Sequence, residues 1–157
     1  PNFVRQVYDG DGSDTETAGP NGSATIETVF NNYFAKEGLT FEATAFDGRS
    51  DYGPFIDAGI PAGGLFTGAE DIKTPAQAAK FGGTAGVALD PCYHQACDTM
   101  ANNSNTALGE MSDAAAHAVL QFAMTTSAVK GTSKASDQAV LNVDKDSLLY
   151  KGGHLQK

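Results

Sequence analysis

The segment SATIETVFNNYFAKEG, residues 23–38, carries apolar side chains at positions i, i+3, i+4, i+7 and i+8. These side chains are Ile26, Val29, Phe30, Tyr33 and Phe34. The spacing predicts a helix with one apolar stripe that packs against another layer of structure. Ser23 is the predicted N-cap, and Gly38 is the predicted residue that ends the helix.

Strand and helix patterns alternate on both sides of this helix. The predicted strands are FVRQVYD (3–9), TFEATAF (40–46) and IPAGGLFTG (60–68). SDYGPFIDAG (50–59) predicts a short helix that is capped by Ser50 or Asp51 and ends at Gly59. TPAQAAKFGG (74–83) predicts a helix with Thr74 as cap, Pro75 first and Gly82 at its end. The alternation predicts an α/β fold in three α/β/α layers, with a mixed, largely parallel sheet.

A longer helix is predicted over residues 106–125. Its predicted core face consists of Leu108, Met111, Ala115, Val119 and Phe122. We expect one domain over residues 1–126, followed by a polar linker and C-terminal tail over residues 127–157.

Composition excludes several classes of function. The 157 residues are 41% hydrophobic and 18% charged, which is typical of a folded domain. The formal net charge of −9 repels nucleic-acid phosphates and anionic lipids, and no apolar run approaches the length of a membrane span. Because the chain starts Pro-Asn-Phe without an initiator Met, we expect a processed or excised part of something longer.

The densest chemistry lies in DPCYHQACD, residues 90–98. Its two cysteines are the only ones in the chain, so a disulfide between Cys92 and Cys97 is the favoured interpretation. The alternatives are a zinc site of Cys92, His94 and Cys97, and a cysteine nucleophile. A disulfide ring would hold Tyr93 and His94 rigidly, which is one way to aim an imidazole at a metal or a substrate.

Arg49 lies between a predicted strand and a predicted helix, at an edge of the sheet where α/β proteins bind ligands. Its guanidinium can bind a carboxylate or a backbone carbonyl. The alternative is a salt bridge with Asp47 or Asp51. Ser50 lacks the G-x-S-x-G context of a hydrolase nucleophile.

Four motifs together carry a family resemblance: GRSDYGPF (48–55), GIPAGGLFTGAE (59–70), FGGTAGVALDPCYHQACDT (81–99) and DAAAHAV (113–119). They resemble the carboxyl-terminal part of the catalytic domain in M28 zinc aminopeptidases, most closely the Streptomyces griseus type. The resemblance runs from about residue 1 to 126 and implies a phosphorylase/hydrolase-like zinc exopeptidase fold. Because the family includes secreted enzymes and lipoproteins, it also implies a secreted or cell-envelope location, with any lipid anchor in the missing N-terminal part.

The resemblance assigns roles to individual residues. His94 corresponds to a terminal ligand of a two-zinc cluster, and Tyr93 to a catalytic tyrosine whose hydroxyl donates to the tetrahedral oxyanion. Arg49 corresponds to a residue that contacts substrate, and Phe66 to an aromatic that lines the pocket for a large hydrophobic first side chain. Cys92 and Cys97 correspond to a disulfide pair. The substrates implied are peptides, cleaved at the N-terminal residue.

The other zinc ligands and the glutamate general base of the family lie upstream of the matching region, one carboxylate only a few residues before Pro1. We therefore expect this chain to be inactive alone and to work with the remainder of the same peptidase domain. The rival hypothesis is a receptor or peptide-binding relative that has lost its metals.

The resemblance also implies a calcium site near the last helix. Asp113 corresponds to one of its ligands, but Gly109 stands where the family has a second acid, with Glu110 adjacent. We expect His117 to be a solvated helix residue, and His154 has no assignable role.

Overall fold

The computed structural model of the chain describes residues 2–130 and has an α/β architecture. The strands are β1 (Gln6–Tyr8), β2 (Glu42–Thr44) and β3 (Leu65–Phe66). The helices are α1 (Ser23–Lys36), α2 (Gly53–Asp57), α3 (Pro75–Phe81), α4 (Asn105–Met124) and α5 (Ser127–Lys130), with a 3₁₀ turn at Met100–Asn102. The predicted fold class and the predicted order of strands and helices are confirmed.

The three strands form one mixed sheet in the order β2-β1-β3. β1 pairs in parallel with β2, so that Tyr8 is opposite Thr44 at the carboxyl ends of both strands. β1 pairs antiparallel with β3, and Val7 is opposite Leu65. Because α1 connects the two parallel strands, β1, α1 and β2 make a βαβ unit.

Consecutive residues of β1 are buried on opposite faces of the sheet, as strand geometry requires. On one face, Val7 packs with Phe30 and Phe34 of α1 and with Ala114 and Ala118 of α4. On the other face, an aromatic cluster forms around the next residue of β1. Its members are Tyr8, Phe46 and Tyr52, with Ile56, Ala62 and Phe66 packed against them.

The local signals for helix ends are confirmed at α3 and at the end of α1. Thr74 and Gln77 form a reciprocal capping box, Pro75 occupies the first turn, and Gly82 follows the last residue of α3. Gly38 adopts φ 68°, a conformation that glycine takes without steric cost, just beyond α1.

Two predicted caps are wrong. The N-cap of α1 is Gly22, while the Ser23 hydroxyl is buried and accepts a hydrogen bond from Ala62 N at 3.1 Å. α2 begins after Tyr52 without any side-chain cap, although Gly59 adopts φ 72° beyond its end as predicted. At both helix starts a local backbone carbonyl takes the place of a side-chain cap: Thr25 N donates to Gly22 O at 3.1 Å, and Phe55 N donates to Tyr52 O at 3.0 Å.

The predicted core face of α4 is rotated by about one residue from the observed face. The buried residues are Ala107, Ala114 and Ala118, whereas Leu108 is 63% exposed and Val119 is 69% exposed. Small side chains let α4 approach α1 closely, whereas Leu108 and Val119 remain on the outside. Met111 and Phe122 do pack against the core as predicted.

An ion pair fixes α4 relative to β1. Arg5, just before β1, donates from Nε to Glu110 Oε2 at 2.6 Å and from Nη2 to Glu110 Oε1 at 2.8 Å. Both side chains are at least four-fifths buried, at 15% and 20% exposure. Forked pairing of this kind sets an orientation as well as a distance.

The predicted boundary at residue 126 falls between two helices, because α5 follows α4 and contacts α1. The rest of the predicted linker and tail, including His154, lies outside the described residues. Over residues 2–130, no helix combines the length and the apolar content needed to cross a membrane.

We expect Phe34→Ala to lower the free energy of unfolding by about 3–5 kcal/mol, because Phe34 is fully buried at the centre of the helical core. Phe55→Ala is the matched control, since Phe55 is 54% exposed and its truncation leaves no closed cavity. Denaturant unfolding followed by circular dichroism measures both. Equal losses in the two variants would contradict the observed core.

Candidate functional site

A small cleft opens where β1 and β2 end. It has a volume of about 50 Å³ and is lined by Tyr8, Thr44, Ala45, Asp47, Arg49, Phe66, Ala69, Asp71 and Tyr93. Three residues singled out from the sequence, Arg49, Phe66 and Tyr93, therefore meet at one place although they are distant along the chain. The position agrees with the general preference of α/β sheets for ligands beyond the carboxyl ends of strands.

The aromatic cluster supplies part of the wall of this cleft through Tyr8 and Phe66. The ring of Tyr8 stacks on Phe46 at 5.1 Å and meets Tyr52 edge-on at 4.7 Å. Burial, together with the nearby Tyr52 and Asp47, raises the pKa of Tyr8 to about 12. The Tyr52 hydroxyl donates to Asp47 Oδ1 at 2.8 Å. Burial also raises the pKa of Tyr52, so these phenols stay protonated and the aromatic part of the wall is uncharged.

Arg49 lines the cleft and forms an ion pair with Glu70, an acid that was not predicted from the sequence. Its Nη2 lies 2.6 Å from Glu70 Oε1, and only its backbone N–H bonds to Asp47. The alternative prediction, a salt bridge with Asp47 or Asp51, is therefore wrong, because Arg49 pairs with Glu70 instead. Hydrogen bonding to Glu70 and the charge of Glu70 raise the pKa of Arg49. Both side chains are about half exposed, so the pair orients the guanidinium but adds little stability.

Cys92 and Cys97 form the favoured disulfide, with Cα atoms 5.3 Å apart. Because both sulfurs are in the disulfide, neither can act as a thiolate. Two alternative hypotheses are therefore wrong: a zinc site of Cys92, His94 and Cys97, and a cysteine nucleophile. The enclosed turn is closed by a hydrogen bond from Gln95 N to Cys92 O at 2.8 Å.

His94 has φ 55°, the left-handed conformation that residues other than glycine adopt infrequently. The disulfide ring holds this backbone, and the side chain is exposed with its ring centroid 3.9 Å from that of Tyr93. The imidazole therefore stands beside the cleft and is available to a ligand. It is not packed into apolar surroundings.

Asp90 anchors the ring to the body of the fold. Its Oδ1 accepts hydrogen bonds from Cys92 N at 2.9 Å and from Asn102 Nδ2 at 2.8 Å. The sequence analysis missed both Asp90 and Asn102. An Asp two residues before the N–H that it binds is a recognisable turn pattern, but the Asn102 contact carries no local signal.

A group of three acids lies elsewhere, at the start of the loop after β1. Carboxylate oxygens of Asp9, Asp11 and Glu27 approach within 4.8 Å of one another, the one group of this kind among the described residues that could hold a metal ion. Asp9 is fully buried, and its Oδ2 accepts from Thr15 N at 2.7 Å. Glu27 Oε2 accepts from Gly10 N at 2.8 Å. These bonds show the carboxylates organising the loop, which the sequence analysis treated only as the end of a strand.

The predicted calcium ligand Asp113 is exposed on α4 and is not part of this acidic group. Glu110, the acid next to Gly109, is bound by Arg5. A calcium site at Asp113 stays a prediction. His117, expected to be solvated, is partly buried with its ring 5.2 Å from that of Tyr33, and this burial lowers the pKa of His117.

A zinc cluster needs more ligands than His94. Within residues 2–130, no group of three or more His, Cys, Asp or Glu side chains includes His94. The single exposed imidazole can fill one terminal position, and further ligands would have to come from outside the described part of the chain.

The mixed sheet and the cleft beyond its strand ends define an α/β domain, and comparison with known proteins specifies its family. Residues 6–119 match Peptidase family M28. The chain belongs to this family. The likeness to the Streptomyces griseus type stays a prediction.

Several curated relatives are similar to the chain over most of its length. "Leucine aminopeptidase 2" of Trichophyton rubrum is 51% identical over 123 residues, which are 78% of this chain and 25% of that protein. "Leucine aminopeptidase 2" of Trichophyton equinum is 48% identical over 89% of this chain and 28% of that protein. "Aminopeptidase" of Pseudomonas aeruginosa strain UCBPP-PA14 is 49% identical over 88% of this chain and 26% of that protein. The chain thus spans about a quarter of the length of these relatives.

We expect replacement of both Cys92 and Cys97 by serine to lower the free energy of unfolding by about 2 kcal/mol, because a short closed loop is released. Amide hydrogen exchange should become faster at residues 92–97. Mild reductant supplies the matched control: it should destabilise the wild type similarly and leave the double variant unchanged. Equal sensitivity of the two proteins to reductant would contradict the assignment.

The acidic loop generates a pH prediction. Burial alone would raise the pKa of Asp9, but hydrogen bonds from Thr15, Asp14 and Gly12 outweigh it and lower that pKa. Because a lowered folded-state pKa stabilises the fold above the ordinary carboxyl value, this contribution is lost as the pH falls through about 4 and below.

Asp9→Asn should therefore flatten the fall in unfolding free energy between about pH 5 and pH 2. Asp11→Asn, at an exposed neighbour whose Oδ1 accepts from Ser13 N at 2.9 Å, is the control and should flatten it less. Denaturant titrations across this pH range measure both variants, and identical slopes would refute a special role for Asp9.

Proposed function

We propose that this chain is part of a zinc-dependent aminopeptidase, a hydrolase that releases N-terminal residues from peptides. The observation that carries the proposal is the meeting of Tyr93, Arg49 and Phe66 at one cleft, with His94 exposed beside it. Membership of family M28 and the relatives named aminopeptidase support the same conclusion.

His94 is proposed as one terminal zinc ligand. When bound, the zinc ions would polarise the scissile carbonyl and lower the pKa of a water molecule. The disulfide ring and Asp90 hold the backbone that carries the imidazole before metal arrives, so less ordering is needed on binding.

Tyr93 is proposed as the donor to the oxyanion. It lines the cleft, and its backbone is held by the same ring as His94. A preorganised phenol donates a hydrogen bond that strengthens as negative charge develops on the substrate oxygen, so its contribution grows in the transition state.

Phe66 and Arg49 are proposed to bind substrate. Phe66 and Tyr8 offer an apolar surface for a large hydrophobic first side chain, and the relatives named leucine aminopeptidase support this preference. Arg49, oriented by Glu70, keeps N–H groups that can donate to a carbonyl or carboxylate of the substrate.

The rest of the catalytic machinery is proposed to come from the remainder of the same peptidase domain, so that the described part alone is inactive. Two surfaces suit such a partner. One is the exposed apolar stripe of α4 that includes Leu108 and Val119. The other is a groove of about 320 Å³ between α4 and the segments at Phe3 and Leu89.

The disulfide supports a secreted or cell-envelope location, because such bonds persist in oxidising compartments. An anchor by lipid through an upstream segment is part of the same proposal. The net charge of −9 argues against nucleic-acid partners. A metal-free receptor or peptide-binding role is the alternative, and the zinc content of the full-length protein distinguishes the two.

The test uses the full-length protein that contains this chain, with leucine p-nitroanilide as substrate. Tyr93→Phe should lower kcat by about a hundredfold to a thousandfold with little change in KM, because only transition-state binding is lost. His94→Ala should lower both zinc content and activity.

Tyr33→Phe is the matched control, since Tyr33 packs against α4 outside the cleft, and it should retain wild-type kcat. A chelator should abolish wild-type activity, and zinc should restore it. Activity that resists chelation, or a Tyr93→Phe variant with wild-type kcat, would overturn the proposal.

A further inference from the structure

The segment that leads into the disulfide ring, residues 84–90, is held without belonging to a regular strand. Lys73 N donates to Val87 O at 3.0 Å, Leu89 N donates to Asp71 O at 2.8 Å, and Asp90 N donates to Ala69 O at 2.7 Å. On its other side, the segment is bound by Asn2, whose backbone N donates to Leu89 O at 3.0 Å.

The side chain of Asn2 fills the loop that this segment makes. Its Nδ2 donates to Thr84 O at 2.8 Å and to Val87 O at 3.2 Å, with a further bond to Ala88 O at 3.3 Å. Its Oδ1 accepts from Thr84 N at 2.9 Å. One amide therefore satisfies backbone groups at both ends of the loop.

The buried side chain of Lys73 contacts Asn2 and the neighbouring backbone. It is 1% exposed, and its Nζ donates to Asn2 Oδ1 at 3.3 Å and to Phe3 O at 3.2 Å. Over the described residues no carboxylate forms an ion pair with it. Burial lowers the pKa of Lys73, and the negative charge of Glu42 offsets only part of that lowering. Burying an ammonium group among neutral acceptors is unfavourable in free energy. An apolar side chain would fill the same space without this penalty.

Gly83 makes room for the two side chains. It adopts φ 81°, and a Cβ at this position would clash with Asn2 Oδ1 and crowd Lys73 Nζ. The backbone, the amide and the ammonium are thus packed against one another directly.

We call Asn2, Lys73 and Gly83 the clamp. The segment that the clamp holds leads directly into the candidate site. Leu89 is 2% exposed, and the next residue, Asp90, binds Cys92 N and Asn102 Nδ2. A displacement of residues 84–89 would be passed to Asp90 and from there to Tyr93 and His94, because Asp90 follows Leu89 directly and binds Cys92 N in the disulfide ring.

We infer that Lys73 and Asn2 are positioning residues for Tyr93 and His94: the clamp sets the place of the disulfide ring relative to the cleft. The inference rests on the proposed function for its catalytic consequence, but the positioning itself can be measured without activity.

The experiment compares Lys73→Met and Asn2→Ala in the full-length protein. Lys73→Met should lower kcat for leucine p-nitroanilide by about tenfold to a hundredfold with KM within about twofold, as expected for misplaced catalytic groups. Zinc should be lost at a chelator concentration about tenfold lower. Amide hydrogen exchange at residues 84–97 should become faster. Asn2→Ala should change all three readouts in the same direction.

Lys36→Met is the control, because Lys36 is an exposed lysine in the last turn of α1 and its loss changes the net charge equally. Unchanged kcat, zinc retention and exchange at residues 90–97 in the two clamp variants, even with a lower melting temperature, would overturn the inference. If Lys73→Met fails to fold, Asn2→Ala decides. If the wild type releases no p-nitroaniline, the proposed function fails, while exchange at residues 84–97 still decides the positioning.

Discussion

The structure depends on burying both faces of β1. Val7 must be covered by α1 and α4, and the residue after it must be covered by aromatic rings, because strand geometry sends the two side chains in opposite directions. The helical core and the wall of the cleft are therefore consequences of one pair of adjacent residues. Arg5 lies immediately before β1, and its ion pair with Glu110 orients α4 relative to the same strand.

The candidate site is rigid by a different means, since it is built on loops. A disulfide, an Asp90 carboxylate that accepts two hydrogen bonds, and the side chain of Asn2 together replace the regular hydrogen bonding of a strand. This support holds His94 in a left-handed conformation that an unsupported loop would abandon. Such a site can be preorganised without lying on a helix or strand.

The sequence predicted what local chemistry determines. The cap at Thr74, the glycines that follow α1 and α2, and the apolar stripe of α1 all act within a few residues. The core face of α4 was mispredicted because Leu108 and Val119 are more hydrophobic than the alanines that pack. Likewise Glu70, Asn102 and Lys73 could not be found, because their partners lie far away in the chain. The meeting of Arg49, Phe66 and Tyr93 was accessible only through family resemblance.

The adjacency of Val7 and Tyr8 limits how this protein can diversify. A slip in the register of β1 would alter the interior and the cleft at once, and a substitution at Val7 or Tyr8 would disturb one of them directly. The loop residues Arg49 and Asp71 line the same cleft, Glu70 binds Arg49, and all three are exposed and outside the core. New ligand preferences are therefore most accessible to evolution, and to library design, through these loops.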